Sequence, residues 1–263
     1  VNSTKIAIIT GATSGIGASF ARQFARLGYD LIITGRRKEK IQKVAEELKN
    51  EYNSKIEMII ADFSNDSEWH KLIQRIDKLE RVEVMVNNAG FGSVKNFLTD
   101  EYKNQEKMVQ VHINAMLQLT HRIIPKMIKN GKGYIINVSS LAAFLASPQH
   151  ELYCSTKAFI NIFSESISMT LKSFNIKVQS LCPGFTRTDF HQKLNWNPEN
   201  LKNKILIKWM TADFVVRKSI TALKKNRVIV IPGIIYKLVY LSIKILPRSI
   251  YYFLAIKTRK KFS

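Results

Sequence analysis

Lys5-Ile6-Ala7-Ile8-Ile9-Thr10-Gly11-Ala12-Thr13-Ser14-Gly15-Ile16-Gly17 is a short apolar run that ends in a glycine turn and passes straight into a helical pattern. Strand, glycine turn and helix in that order make a phosphate cradle. Gly11 permits the tight turn, Gly15 lets the backbone approach a pyrophosphate, and Gly17 lets the helix sit close on the strand. The helix N-terminus adds N–H donors and a positive dipole end. The spacing is Gly-x-x-x-Gly-x-Gly, not the Gly-x-Gly-x-x-Gly of other dinucleotide folds. Thr13, Ser14 and Ile16 ride on the same turn and join the three glycines as candidate cofactor contacts.

Six more apolar runs follow, at Leu31–Thr34, Ile56–Ala61, Val84–Asn87, Tyr134–Ser139, Lys177–Cys182 and Val228–Ile231, with helical patterns between them. This alternation predicts an α/β fold: a single-domain, Rossmann-type, doubly wound parallel sheet of seven strands with helices on both faces. Its ligand belongs at the carboxyl ends of the strands. The second run ends in Gly35-Arg36-Arg37. An acidic residue there would grip the ribose 2′-hydroxyl of NAD, whereas two guanidiniums suit a 2′-phosphate, so the pair argues for NADP. The plainer alternative is that Arg36 and Arg37 cap a solvated helix. Asp62, closing the third run, is a candidate acceptor for the adenine amino group or an N-cap for a helix beginning near Asp66.

Tyr153 and Lys157 stand four apart, and Ser140 lies thirteen residues upstream of the tyrosine. Positions i and i+4 share a helix face, so the Lys157 charge can lie against Tyr153 and favour the phenolate. A phenol titrates near pH ~10, and a few units of depression would make Tyr153 a usable acid and base near neutrality. On an exposed helix the same spacing describes two solvated neighbours.

The fourth strand runs into Asn87-Asn88-Ala89-Gly90, and Pro183-Gly184 follows the sixth. Taken in order with the glycine turn, Ser140 and Tyr153-x-x-x-Lys157, these motifs resemble the short-chain dehydrogenase/reductase family from about Lys5 to Thr188. The resemblance implies an NADP(H)-dependent oxidoreductase with a catalytic tetrad of Asn114, Ser140, Tyr153 and Lys157. Tyr153 would donate a proton to the developing alkoxide and Ser140 would fix the carbonyl oxygen. Lys157 would lower the Tyr153 pKa and hold the nicotinamide ribose, and Asn114 would hold a water that resupplies the proton through Lys157. Ser139 is the neighbour to be distinguished from Ser140, and the thirteen-residue interval favours Ser140. Asn88, Ala89, Gly90, Pro183, Gly184 and Thr188 are implied cofactor contacts, with Tyr153 and Lys157. The helix carrying Asn114, from Glu101 to Lys129, otherwise reads as plainly amphipathic.

The chain has 263 residues, 46% of them hydrophobic, enough to bury a substantial core. Residues 1–233 read as the catalytic domain and 234–263 as a basic apolar extension of it. Cys154 and Cys182 do not indicate a disulfide framework, no Cys/His cluster has metal spacing, and no secretory signal is evident, so the expectation is a cytoplasmic protein without a metal. Cys154 reads as a small buried hydrophobe, while His150 and His191 fall near the pocket.

The net charge of +21 is the feature the family leaves unexplained, and no acidic residue follows Asp213. Nucleic acid is one reading of such charge, but no recognition motif accompanies it, so none is expected. In Tyr236–Leu246, Leu238, Val239, Leu241, Ser242, Ile245 and Leu246 share one side at helical spacing, with Lys237, Lys244 and Arg248 on the other. This is the pattern of a helix lying on the inner face of a membrane, or of one packed on the sheet or in a homodimer or homotetramer. The segment from Arg187 to Ala212, with Phe190, Leu194, Trp196, Leu201, Ile205, Ile207, Trp209 and Met210, reads as an apolar substrate wall. Together with Val230-Ile231-Pro232-Gly233, it resembles the branch of acyl and steroid reductases. That implies a lipophilic carbonyl or alcohol: a 3-oxoacyl thioester, a steroid or a long-chain aldehyde.

Overall fold

The computed structural model describes residues 5–190, 194 and 208–259. The strands are β1 (Ile6–Ile9), β2 (Asp30–Gly35), β3 (Ile56–Ile60), β4 (Val84–Asn87), β5 (Gly133–Val138), β6 (Ile176–Leu181), β7 (Thr186–Arg187), β8 (Met210–Thr211) and β9 (Ile229–Val230). Seven of them form one parallel sheet in the order β3-β2-β1-β4-β5-β6-β9. Each of the seven predicted runs is present, displaced by no more than one residue at either end.

The helices are α1 (Gly15–Arg26), α2 (Lys38–Glu51), α3 (Asp66–Asp77), α4 (Tyr102–Val109), α5 (Ala115–Lys129), α6 (Glu151–Leu171), α7 (Ala212–Lys224), α8 (Ile234–Ile245) and α9 (Arg248–Arg259). Successive residues of β1 point to opposite faces, as the period of a strand requires. Ala7 and Ile9 enter the layer with Phe20, Ile41 and Val215 of α1, α2 and α7. Ile8 enters the layer with Trp69 of α3 and Leu119 of α5. Both faces are therefore covered, and β1 can be apolar throughout.

Strand order reverses between β1 and β4: the chain winds outward through β2 and β3, then returns to the other side of β1. The loops after β1 and β4 diverge there and leave a crevice, the position at which such sheets take ligands.

Two features lay beyond the sequence reading. β7 and β8 pair in parallel, Thr186 opposite Met210 and Arg187 opposite Thr211, and pin the two ends of the intervening segment side by side. Two residues are too few to carry an alternating pattern. The helix from Glu101 to Lys129 is not uniform either. A π turn, Gln110–Asn114, joins α4 to α5. The N-cap of α3 is Asn65, whose side chain accepts from the Ser67 N–H, and not Asp62.

Candidate active site

A cleft of about 430 Å³ opens along the carboxyl ends of the strands. At one end lies the glycine turn. Gly11 and Gly15 have φ of +65° and +57°, a region that side-chain-bearing residues avoid. A Cβ on Gly17 would lie 2.4 Å from the Gly11 carbonyl oxygen, so the helix is seated directly on the turn. Asn88 braces this arrangement from the β4 side, its amide nitrogen donating to the carbonyls of Thr10 (2.9 Å) and Gly11 (3.1 Å). The Thr10 hydroxyl in turn accepts from the N–H groups of Asn88 and Ala89.

α1 starts at this turn without a side-chain cap on Ser14 and without an acidic residue in its first turn. Thr13, Ser14, Gly15 and Ile16 line the cleft. A helix N-terminus whose donors are not consumed by its own side chains suits an anion. A dinucleotide pyrophosphate fits this cradle in shape and in the chemistry of its donors.

The cations expected after β2 are at the cleft, and they are engaged. Arg36 lies 3.5 Å from Asp62. Burial opposes the Asp62 charge, but hydrogen bonds from Ser64 and the Arg36 guanidinium outweigh it and hold the carboxyl below its usual range. Arg37 donates to the hydroxyls of Thr13 (2.7 Å) and Ser14 (2.9 Å) and pairs with Asp189 at 2.8 Å. Lys40, which the sequence reading passed over, pairs with the same carboxylate at 2.7 Å. Hydrogen bonds from Lys40 and Arg37 pull Asp189 down to about 2. Lys40 was legible in principle, as the residue one helical turn beyond Arg37 on the same face.

At the other end of the cleft, α6 carries Tyr153 and Lys157, and the 3₁₀ turn after β5 begins at Ser140. The Ser140 side chain lies close enough to the Tyr153 hydroxyl to favour its phenolate. Ser139 points elsewhere, its hydroxyl donating to the Lys157 carbonyl at 2.9 Å. The Lys157 ammonium donates to the Val138 carbonyl at 3.0 Å and lies 5.8 Å from the centre of the Tyr153 ring.

The depressed phenol anticipated from the spacing is not found. Tyr153 is partly open to the cleft, yet the protein around it disfavours the phenolate and pushes the phenol up to about 12, against the downward pull of Ser140. Burial also lowers Lys157, to about 8. Desolvation disfavours both charged forms and is the leading cause at each.

Asn114 does not join the cluster. Its side chain is exposed and donates to Gln110 Oε1 at 2.7 Å. His112, two residues earlier, is the side chain that the π turn directs inward. It is 1% exposed, its ring stands edge-on to Tyr153 at 5.9 Å, and a Cβ on Gly90 would fall 3.1 Å from its Nε2 and 3.6 Å from the Lys157 Nζ. A π turn holds an extra residue, so counting along a regular helix misassigns the face after it. The sequence shows only one of five scattered histidines.

Much of the remaining lining is apolar. Phe190 lies 5.9 Å from Tyr153, and Phe190 and Leu194 crowd Gly92. Trp209 packs on Phe185 at 5.3 Å, and Met210 is buried in the core, so neither forms the cleft wall predicted for it. Trp196, Leu201, Ile205, Ile207 and His191 lie outside the described residues. His150 lines the cleft, and burial lowers its pKa. Cys154 also lines it, but burial pushes that thiol up to about 11, which keeps it un-ionised and unreactive near neutrality. Pro183, Gly184 and Thr188 also line the cleft, Thr188 against Gly15 of the glycine turn. The Tyr236 ring of α8 covers Gly184 so closely that a Cβ there would meet it at 2.4 Å.

The short chain dehydrogenase family model matches residues 5–199. Among curated proteins, very-long-chain 3-oxoacyl-CoA reductase-A of Danio rerio is 33% identical over 195 residues, 70% of this chain and 59% of that protein. The chain thus spans less than two thirds of that relative. A 3-oxoacyl-(acyl-carrier-protein) reductase of Aquifex aeolicus is 32% identical over 201 residues, 76% of this chain and 80% of that protein. Among solved structures, a short-chain dehydrogenase from Sphingobium yanoikuyae in complex with NADPH superposes with a TM-score of 0.81 at 26% identity, covering 88% of each chain.

Proposed function

The chain belongs to the short-chain dehydrogenase/reductase family, and from that premise we propose that it is an NADP(H)-dependent oxidoreductase acting on a lipophilic carbonyl or the corresponding secondary alcohol. The observation that carries the reading is the single cleft lined both by the glycine turn with its cations and by Ser140, Tyr153 and Lys157. NADPH, when bound, supplies the hydride. Tyr153 hands its phenolic proton to the carbonyl oxygen, and Ser140, beside Tyr153, holds that oxygen in place. Lys157, with its ammonium 5.8 Å from the centre of the Tyr153 ring, would bind the cofactor ribose. Thr13, Ser14, Arg36, Arg37 and Lys40 hold the phosphates. Relatives that reduce 3-oxoacyl groups, and a wall of Phe190, Leu194 and Leu145, support an acyl or similarly apolar substrate.

Two measurements test this. NADPH oxidation with 3-oxoacyl thioesters, steroid ketones and long-chain aldehydes should reveal turnover of at least one class, and none with any carbonyl would sink the reading. Arg37→Ser should weaken NADPH binding about ten- to a hundredfold, the equivalent of one or two charge-assisted hydrogen bonds, while NADH binding changes less than about twofold. Equal losses for both cofactors would refute a 2′-phosphate site.

The C-terminal helices support a peripheral membrane position for the enzyme. α8 is apolar on two sides. Tyr236 enters the core and Tyr240 packs on Phe144 at 4.5 Å, whereas Ile234, Leu238, Leu241 and Ile245 face outward. On α9, Ile250, Phe253, Leu254 and Ile256 are exposed, and Tyr251 donates to the Ala146 carbonyl at 2.7 Å beside the cleft. No helix among the described residues is long and apolar enough to cross a membrane. An outward apolar side flanked by Lys237, Lys244 and Arg248, with no acidic residue after Asp213, suits the surface of an anionic bilayer, where each cation contributes about 1 kcal/mol. The full chain should sediment with phosphatidylglycerol vesicles at low salt, and Ile245→Glu with Phe253→Glu should reduce that several-fold. Unchanged sedimentation would exclude this face. A second outward row on α6, Phe159, Ile162 and Met169, supports self-association.

A further inference from the structure

His112 is a buried titratable group to which the proposed chemistry assigns no task. We propose that His112 is a positioning residue for Tyr153 and Lys157, a neutral imidazole protonated on Nδ1 that hooks the loop after β4 onto the first turns of α6. The inference deepens the hydride-transfer reading and rests on it for its catalytic part.

The hydrogen bonds determine the tautomer. The Phe91 N–H can only donate, and its partner at 3.0 Å is His112 Nε2, which must therefore present a lone pair. The ring proton is then on Nδ1 and donates to Thr156 Oγ1 at 2.9 Å. The Thr156 hydroxyl passes its own proton on to the Tyr153 carbonyl, also at 2.9 Å. A directional chain thus runs from Phe91 through His112 and Thr156 to the backbone of Tyr153, with each donor matched to an acceptor. Thr156 sits between Tyr153 and Lys157 in sequence, so the hook holds the turn that carries both. The ring also limits where the Tyr153 ring can go, standing edge-on to it at 5.9 Å, and stands edge-on to Phe91 at 5.7 Å.

Protonation would undo this arrangement. An imidazolium has two donors, so an Nε2–H would face the Phe91 N–H and the hook would open. The titratable groups facing the ring are Tyr153 and Lys157 of α6, and the Gly90–Phe91 loop presents none. Burial first and the Lys157 charge second hold His112 well below 6.5. The neutral form is therefore favoured by folding. Its contribution to stability is complete above the ordinary histidine range and declines as the pH falls below it.

Loosening the turn under Tyr153 misplaces the proton donor relative to substrate, and displacements near 1 Å cost about a hundredfold in rate. His112→Phe keeps a ring in the slot but leaves the Phe91 N–H without its acceptor and the Thr156 oxygen without its donor. It should lower kcat about ten- to a hundredfold with NADPH affinity, read by fluorescence titration, within about threefold. His112→Gln, which retains an acceptor and a donor, should recover most of that loss. It should also remove an acid-side decline in kcat that the native enzyme shows only where His112 itself takes up a proton, well below the ordinary histidine range. In cofactor-free native protein, nitrogen NMR with labelled histidine should show His112 with its proton on Nδ1 and still neutral where exposed histidines are protonated. Native-like kcat in the phenylalanine variant, an acid limb unaltered by glutamine, or a proton on Nε2 would each overturn the proposal. The NMR result is independent of catalysis, so a protein that reduces no carbonyl would sink the oxidoreductase reading while the state of His112 is still decided.

Discussion

Tyr153→Phe should lower kcat by about 10³-fold or more and leave NADPH affinity within about twofold, since a positioned acid contributes about 10²–10⁴. The substitution removes one oxygen. The ring keeps its contacts with His112 and Phe190, both at 5.9 Å, and Ser140 keeps the N–H of Ala142. Neither the cradle nor Lys157 depends on the lost hydroxyl. A phenol pushed up to about 12 is also a committed donor, because near neutral pH it carries its proton. That state is the one carbonyl reduction needs. The reverse reaction needs the phenolate, which the same burial disfavours. Isothermal titration with NADPH beside steady-state kinetics reads both quantities. Residual turnover above a few per cent would remove Tyr153 as the acid, and a parallel loss of NADPH binding would make it a structural residue.

Gly17→Ala should have the second largest effect, weakening NADPH binding by about a hundredfold, as a misplacement near 1 Å does at a positioned site. In an ordinary helix the change would help by about 1 kcal/mol. Here the new Cβ would stand 2.4 Å from the Gly11 carbonyl oxygen and 2.5 Å from the Asn88 side-chain nitrogen, which are hydrogen-bonded to each other. Neither can withdraw without breaking the brace between the β1 and β4 loops, so α1 must move off the turn. Overpacking of this kind costs about 1–3 kcal/mol. Gly28→Ala is the control. Gly28 has φ +77° and nothing within 4 Å of a Cβ, so only its backbone conformation is strained. It should lower the melting temperature and leave NADPH binding alone. Native-like NADPH binding by the Gly17 variant would mean that the cradle does not hold the phosphates.

Much of the fold was legible because local rules and the global fold agree. The strands are apolar runs covered on both sides, and glycines occur where the backbone turns left-handed or a helix must touch a strand. The pairing of Tyr153 with Ser140 was implied by the resemblance to the family, whose interval the two residues match. What failed were inferences that treated a neighbour in sequence as a neighbour in space. Lys157 is one helical turn from Tyr153 but donates to Val138, and burial rather than its charge governs the phenol. Asn114 lies on the helix that was expected to deliver it, yet faces solvent, because a π turn rotates that stretch and presents His112 instead.

The sequence by itself determined the order of elements and the glycine turn, since each depends on residues a few positions apart and on periods of two and 3.6, and its resemblance to the family singled out the tyrosine proposed as the acid. Only the tertiary structure decided which way ionisation equilibria run and which side chains share the cleft. Ionisation depends on burial and on every partner packed around a group, and the contacts that shape the site here, Phe91 with His112, Arg37 with Asp189 and Gly184 with Tyr236, join segments separated by loops whose course no local pattern records.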